Sequence, residues 1–168
     1  TFPPLLLVLL QCATALVSLK TASVVKGSDV ATVKSFLATP TNWPKIVPSS
    51  VGVEGTTTKL RKNDKVTELF GTPVAQLAIE WTCVESSPKV LSTQCVDGVP
   101  YIASDCRMFF ELEQSNDDVE VNLRVSYEPL NVLGYLAAPI LSLENAIALK
   151  LLLPNAIKQQ QQSSSSKS

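Results

Sequence analysis

The fold turns on "VEVNLRVSYE", Val119 to Glu128, and on "LNVLGYLAAPILSLENAIALKLLLP", Leu130 to Pro154, which follows after a single proline. In the first stretch Val119, Val121, Leu123, Val125 and Tyr127 alternate with Glu120, Asn122, Arg124, Ser126 and Glu128. A period of two with one apolar side is the mark of a strand buried on one face and wet on the other. In the second stretch the period changes. Leu143, Ala146, Ile147 and Leu151 recur at helical spacing, and Leu149, Leu152 and Leu153 carry apolar surface to the opposite side. Glu144 near the start and Lys150 toward the end suit a helix dipole. Ser142 is placed to cap, and Pro139 predicts a kink or a division. No charge falls between Leu130 and Leu143. That run is shorter than the ~20 residues a membrane span needs, so the helix is expected to pack across the buried face of a sheet.

Upstream the strand pattern repeats. In "VAQLAIEWTC" Leu77, Ile79, Trp81 and Cys83 share a side opposite Gln76, Glu80 and Thr82. In "SDCRMFFELE" Cys106, Met108, Phe110 and Leu112 share a side opposite Asp105, Arg107, Phe109 and Glu111. "PKVLSTQC" between them reads as a further strand, and "DKVTELFG" and the Val51/Val53 alternation as earlier ones. The connections are short, as in an antiparallel meander. "LKTASVVKG" reads as a first strand. Ser28 and Asp29 can cap a helix with Val30, Val33 and Leu37 inward and Lys34 outward. Pro40 ends it. "TNWPKIVP", Thr41 to Pro48, then sets Trp43 between Pro40 and Pro44 and allows one more helical turn.

The predicted class is α+β: a curved antiparallel sheet of about six to seven strands around a long C-terminal helix, with two short helices after the first strand. This order resembles the helix-grip fold of the START-like (SRPBCC) superfamily, with its polyketide cyclase/dehydrase, coenzyme Q-binding and birch-pollen-allergen types. The residues that carry the likeness are "VATVKSFLATPTNWPKIVPSSVGVEG", "KVTELFG", "AIEWTC" and "VSYEP…LGYLAAP" leading into "ENAIALKLLLP". The resemblance implies an apolar cavity between sheet and helix, with Trp43 in a helical plug at its mouth. Trp81, Met108, Phe110, Val125 and Tyr127 would line it, together with Leu143 and Ile147 of the helix. Each of them is equally at home as plain core. The Tyr127 hydroxyl needs a partner when buried and could orient a ligand. The expected function is binding or transport of a small apolar ligand, a lipid, isoprenoid or quinone-like molecule. The rivals are a cyclase/dehydrase-type enzyme and a module docking on a membrane or a larger complex.

Composition narrows the chemistry. Fourteen Lys and Arg stand against fifteen Asp and Glu, for a formal charge of −1, and there is no histidine. Nucleic acid needs a basic footprint, so it is not an expected partner. Ser-His-Asp and Cys-His nucleophiles and His-containing metal sites are excluded. No metal and no cofactor is expected. Glu80, Glu111 and Arg107 fall on wet strand faces, so no catalytic residue is assigned. Beyond Cys12, Cys83, Cys95 and Cys106 remain. They allow three pairings, Cys95–Cys106 first among them, or three buried thiols.

The two ends differ from the middle. "PLLLVLLQCATALVS" is an uncharged apolar run containing Ala13-Thr14-Ala15, and residues 1–15 are expected to be a cleaved signal peptide, although a basic n-region is missing. A buried element or an anchor are the competing readings. The signal implies the secretory pathway or the exterior, with a plastid as an open destination. Residues 16–157 make the domain. "KQQQQSSSSKS", residues 158–168, reads as a disordered Gln/Ser tail.

Overall fold

In a computed structural model, residues 15–72 and 74–165 are described. The expected signal segment lies outside them, except for Ala15. Seven strands form one antiparallel sheet: β1 (Val17–Val25), β2 (Ser50–Gly55), β3 (Lys65–Thr72), β4 (Ala75–Ser86), β5 (Val90–Cys95), β6 (Ala103–Ser115) and β7 (Asp118–Pro129). Their order is β1-β7-β6-β5-β4-β3-β2, so the meander β2 to β7 is closed by β1 on its far side. The alternation read in the sequence sets the register. Val125 is paired with Leu19 on one side and Met108 on the other, and Met108 with Thr93. These residues share the face toward the core, while Glu120, Asn122, Arg124, Glu111 and Arg107 are exposed on the other.

Between β1 and β2 lie α1 (Val30–Leu37), a 3-10 turn over Pro40–Asn42 and α2 (Trp43–Ile46). Asp29 caps α1, its Oδ1 accepting from Thr32 N at 2.8 Å. The proline-bracketed tryptophan has a local task. Its Nε1–H donates to the Leu37 carbonyl at 2.8 Å, and Asn42 Nδ2 donates to Phe36 O at 3.1 Å. Both carbonyls belong to the end of α1, where helical bonding runs out; Phe36 O also accepts from Thr39 N at 3.2 Å. Trp43 is therefore a buried peg that closes one helix and starts the next. Lys34 does not point outward. It is buried, with Nζ donating to Ser86 Oγ at 2.8 Å, because its long stem can follow the apolar interior to a polar partner.

The C-terminal helix comprises α3 (Val132–Ile147), a π turn over Ala148–Leu152 and α4 (Leu153–Ser165). Asn131 caps α3, accepting from Leu133 N at 2.8 Å. The helix continues through Pro139, where a kink or division was predicted, and its irregularity lies at the π turn. Pro154 has no N–H to offer the carbonyl four residues back, and the widening just before it absorbs that loss. Ser23 Oγ of β1 donates to Leu149 O there at 2.7 Å. The buried side is Ala148, Leu149, Leu153 and Ile157, whereas Leu143 and Leu151, predicted to face the sheet, are exposed. An all-apolar helix does not encode its inner face by period alone, and a π turn shifts the face beyond it. Where a tail was expected from residue 158, the helix runs on to Ser165. Glutamine is a fair helix former, and docked Leu153 and Ile157 supply the nucleus.

By length and composition the helix Val132–Ser163 could cross a membrane. One side of its second half is packed into the core, with Leu149, Leu153 and Ile157 at 1% exposure or less, while most of the span is not buried. The rest of the core includes Val25, Val33, Phe36, Leu37, Val66, Leu91, Leu112, Val119 and Val121.

Cys95 and Cys106 are cross-strand partners, and with Cys83 they are free, buried thiols. Burial, then neighbouring Cys95, pushes the Cys106 thiol up to about 11, and burial raises Cys83 and Cys95 as well. Thiolate is the reactive form. A thiol-reactive dye should therefore leave these three untouched in the native protein and count all three in denaturant without reductant. Fewer than three after unfolding would show a disulfide.

Candidate functional site

The concave face is unevenly filled. At one end Leu112, Val119 and Val121 are fully buried, and at the other Tyr127, Cys95 and Cys106 are buried. Between them Leu19, Met108, Phe110 and Val125 are only half-buried, although they occupy the inner strands β6 and β7 and the neighbouring β1. In α3 only Gly134 is buried. The middle of the helix thus bridges the patch without filling it.

The bridge is pinned at both ends. Tyr127 Oη donates to Gly134 O at 2.8 Å. A Cβ at Gly134 would stand 2.5 Å from Ile102 O and 2.9 Å from Pro129 Cα, so glycine alone allows this approach. At the other end Leu149 sits in the core beside Ser23.

Of the eight residues singled out in the sequence, Met108 and Val125 are neighbours on the patch and Phe110 adjoins them. Trp81 shares the same face on β4 and is 6% exposed. Ile147 is half-buried on the helix, and Leu143 is 63% exposed. Trp43 is held by α1, and the Tyr127 hydroxyl is already satisfied by backbone. A groove of about 610 Å³ between α1, α2 and α4, lined by Phe36, Asn42, Lys45, Leu152, Ala156 and Gln159, contains none of the eight.

Sequence reasoning passed over the polar groups of this face. Glu68 on β3 is 2% exposed and lies between Val66 and Phe70 on the inward side. Trp81 Nε1 donates to its Oε2 at 3.2 Å. Its Oε1 has no hydrogen bond, nor has Ser50 Oγ or Thr93 Oγ1, all three buried. Burial pushes the Glu68 carboxyl up to about 7, against the nearby donors Ser50 and Trp81 and with help from Glu144. The Ser50 hydroxyl lies within hydrogen-bonding reach of the carboxyl and lowers its pKa, although the contact falls short of regular hydrogen-bond geometry. Glu144 of α3 is itself anchored, accepting from Ser49 N at 2.9 Å. The signal was a glutamate at an inward position of "KVTELFG", visible only once the face of β3 was known.

Solved structures share this architecture. The Zhui aromatase/cyclase from Streptomyces sp. R1128 superposes with a TM-score of 0.69 over 87% of this chain and 96% of that one, at 11% identity. Ara h 8.0201 gives 0.64 over 86% and 99%, at 9% identity. The major latex-like protein 151 of Panax ginseng gives 0.55 over 77% and 96%, at 14% identity. The chain has the helix-grip fold of these structures. No family model and no curated protein sequence matches it.

Within the helix-grip frame, two buried ionisable groups serve different regions. Lys34 sits where α1 meets Ser86 at the end of β4, its charge disfavoured by burial and by Lys59. Glu68 sits under α3 beside Trp81. Neither is among the groups acting on the other.

The Glu68 carboxyl holds its proton more tightly folded than unfolded. Its contribution is therefore fully present below about 4.5, the ordinary carboxyl value, and is lost as pH rises to about 7. The loss amounts to about 3 kcal/mol at most. Glu68→Gln keeps an acceptor for Trp81 and removes the titration. Urea midpoints of wild type and variant should converge near pH 5 and separate by pH 8, with the variant more stable there. Parallel profiles would show that Glu68 titrates normally.

Proposed function

We propose that this protein binds or carries a small apolar ligand, of lipid, isoprenoid or quinone-like type, between the concave face of the sheet and the middle of α3. The observation that carries the reading is the half-buried apolar patch of Leu19, Met108, Phe110 and Val125 at the centre of a sheet whose ends are packed tight. Apolar area left accessible there gains about 25 cal/mol per Å² when a ligand covers it. A cyclase-type activity would be favoured by an arginine or a free tyrosine paired with the buried glutamate. Arg61, Arg107 and Arg124 are exposed, and Tyr127 is committed to Gly134.

Trp81 is the reporter. A panel of fatty acids, fatty alcohols, sterols, carotenoids and quinones should contain members that quench or shift Trp81 emission and raise the melting temperature. Trp43, packed against α1, should respond little, so Trp81→Phe should remove most of the signal. Val125→Phe fills the patch without emptying the core, and should weaken binding at least tenfold while the protein stays folded. A panel that leaves both emission and melting temperature unchanged rejects the carrier reading.

A second reading concerns the outer side of α3. Val132, Leu136, Ile140 and Leu143 are 61–70% exposed along α3, and no charge interrupts Leu130–Leu143. An in-plane helix of this kind suits a bilayer surface, where ligand could be taken up or released. Sedimentation with neutral phosphatidylcholine vesicles should bring the protein down with little dependence on salt. Leu136→Ser together with Ile140→Ser should abolish this and leave ligand binding in solution intact. A wild-type protein that stays in the supernatant rejects membrane docking.

A further inference from the structure

Glu68 is an awkward residue for the interior it occupies. Two of its neighbours on the inward face are Val66 and Phe70, and one carboxyl oxygen is without a partner while 98% of the residue is shielded. Ser50 Oγ, nearby on β2, is also buried; it lies within reach of the carboxyl, but neither oxygen makes a hydrogen bond of regular geometry. Buried polar atoms are nearly always satisfied by protein, water or a bound group. The groups acting on Glu68 are Ser50, Trp81 and the carboxyl of Glu144, and none of them is a cation.

We infer that Glu68 and Ser50 form a polar anchor for a neutral hydroxyl group at one end of an elongated apolar ligand. This rests on the carrier reading and names its ligand class. A hydroxyl both donates and accepts, so it can donate to Glu68 Oε1 and accept from Ser50 Oγ. A carboxylate or phosphate at the same place would meet two acidic side chains, Glu68 and Glu144, with no compensating cation. Neutral alcohols and phenols are therefore taken in preference to fatty acids.

The geometry of the sheet supports one molecule touching both regions. Glu68 on β3 is three strands from Met108 on β6. By register it is also four residues along the strands, since Met108 pairs through Thr93 with Cys83 and Glu68 pairs with Ile79, so at ~4.8 Å per strand and ~3.3 Å per residue the separation is about 19 Å along the sheet, and less across a concave face. The apolar body would lie on Met108, Val125 and Phe110, with Trp81 and Thr93 between it and the anchor. Thr93 Oγ1, the third unpaired buried atom, adjoins Met108 along this path.

The test uses three rods of one shape: 4-hydroxybiphenyl, biphenyl and biphenyl-4-carboxylate, titrated calorimetrically at pH 8, where the phenol is still neutral. Wild type should bind the phenol at least tenfold tighter than the hydrocarbon and the carboxylate, since a site built around a hydroxyl rejects analogues lacking it. Glu68→Leu should level phenol and hydrocarbon. Ser50→Ala, a milder change that keeps the fold, should reduce the phenol preference without altering hydrocarbon binding. Glu68→Gln should narrow the gap between phenol and carboxylate by removing a negative charge. If all three rods bind wild type equally, or Glu68→Leu leaves the ratios unchanged, the polar anchor is wrong, the unpaired oxygens hold only water, and the carrier reading stands. If none of the three binds while longer apolar ligands still shift Trp81 emission, the polar anchor is wrong and the carrier reading stands; if those ligands fail too, the carrier reading fails with it.

Discussion

A helix pinned at both ends over a curved sheet cannot sink into the middle of that sheet, and the rest of this structure follows from that constraint. One pin is Gly134, where the absence of a side chain lets α3 touch Pro129 and Ile102, and where Tyr127 ties β7 to the helix. The other is Leu149, buried beside β1 with its carbonyl held by Ser23. The fifteen residue steps from one to the other span about 22 Å at 1.5 Å each. Over that length no α3 residue beyond Gly134 is buried. The sheet below must then either supply large side chains to meet the helix or remain partly open. Leu19, Met108, Phe110 and Val125 are apolar and half-exposed, so it remains partly open.

The short helices complete the frame in a different way. Pro40, Pro44 and Pro48 fix the path of a segment too short to hold a helical shape through its own hydrogen bonds. Trp43 and Asn42 replace the donors that α1 lacks at its end. This makes α1 and α2 one rigid piece, and Leu60 N joins it to the long β2–β3 connection through Ala38 O at 2.8 Å. A tryptophan used in this manner is a structural fastening, which explains why the chain places it between two prolines.

The strands were legible because a single residue position changes which face a side chain occupies, and the alternation at Val119–Tyr127 admits one register only. The helix was less legible for the opposite reason. From Leu130 to Leu153 nearly every side is apolar, so Leu143 and Leu151 fit an inward stripe as well as Leu149 and Leu153 do. The choice is made by the π turn and by where the sheet offers Ser23. Lys34 was misread because helical position tells where a side chain begins, and a four-carbon stem decides where its charge ends. Glu68 was invisible for a related reason: in "DKVTELFG" both sides carry charge, Asp64 and Glu68 on one and Lys65 on the other, and only pairing with β4 reveals that Val66 and Glu68 look inward while Lys65 looks out.

The same glutamate shows why the fold is not arranged for stability alone. A glutamine would meet Trp81 equally well at no ionisation cost, and a leucine would match Val66 and Phe70. Burying a carboxyl with one oxygen unpaired costs free energy that either substitution recovers. The chain carries the opposite choice at the point where the sheet, the start of β2 and α3 converge, and it places a second acidic group, Glu144, close enough to raise the cost further. Destabilising polar groups of this kind persist where a site requires them. The half-empty apolar patch obeys the same logic: larger side chains at Val125 or Leu19 would close it and stabilise the core. An open apolar floor and an unpaired acid on one concave face are each unfavourable in the empty protein, and one elongated ligand with a hydroxyl at its end relieves both.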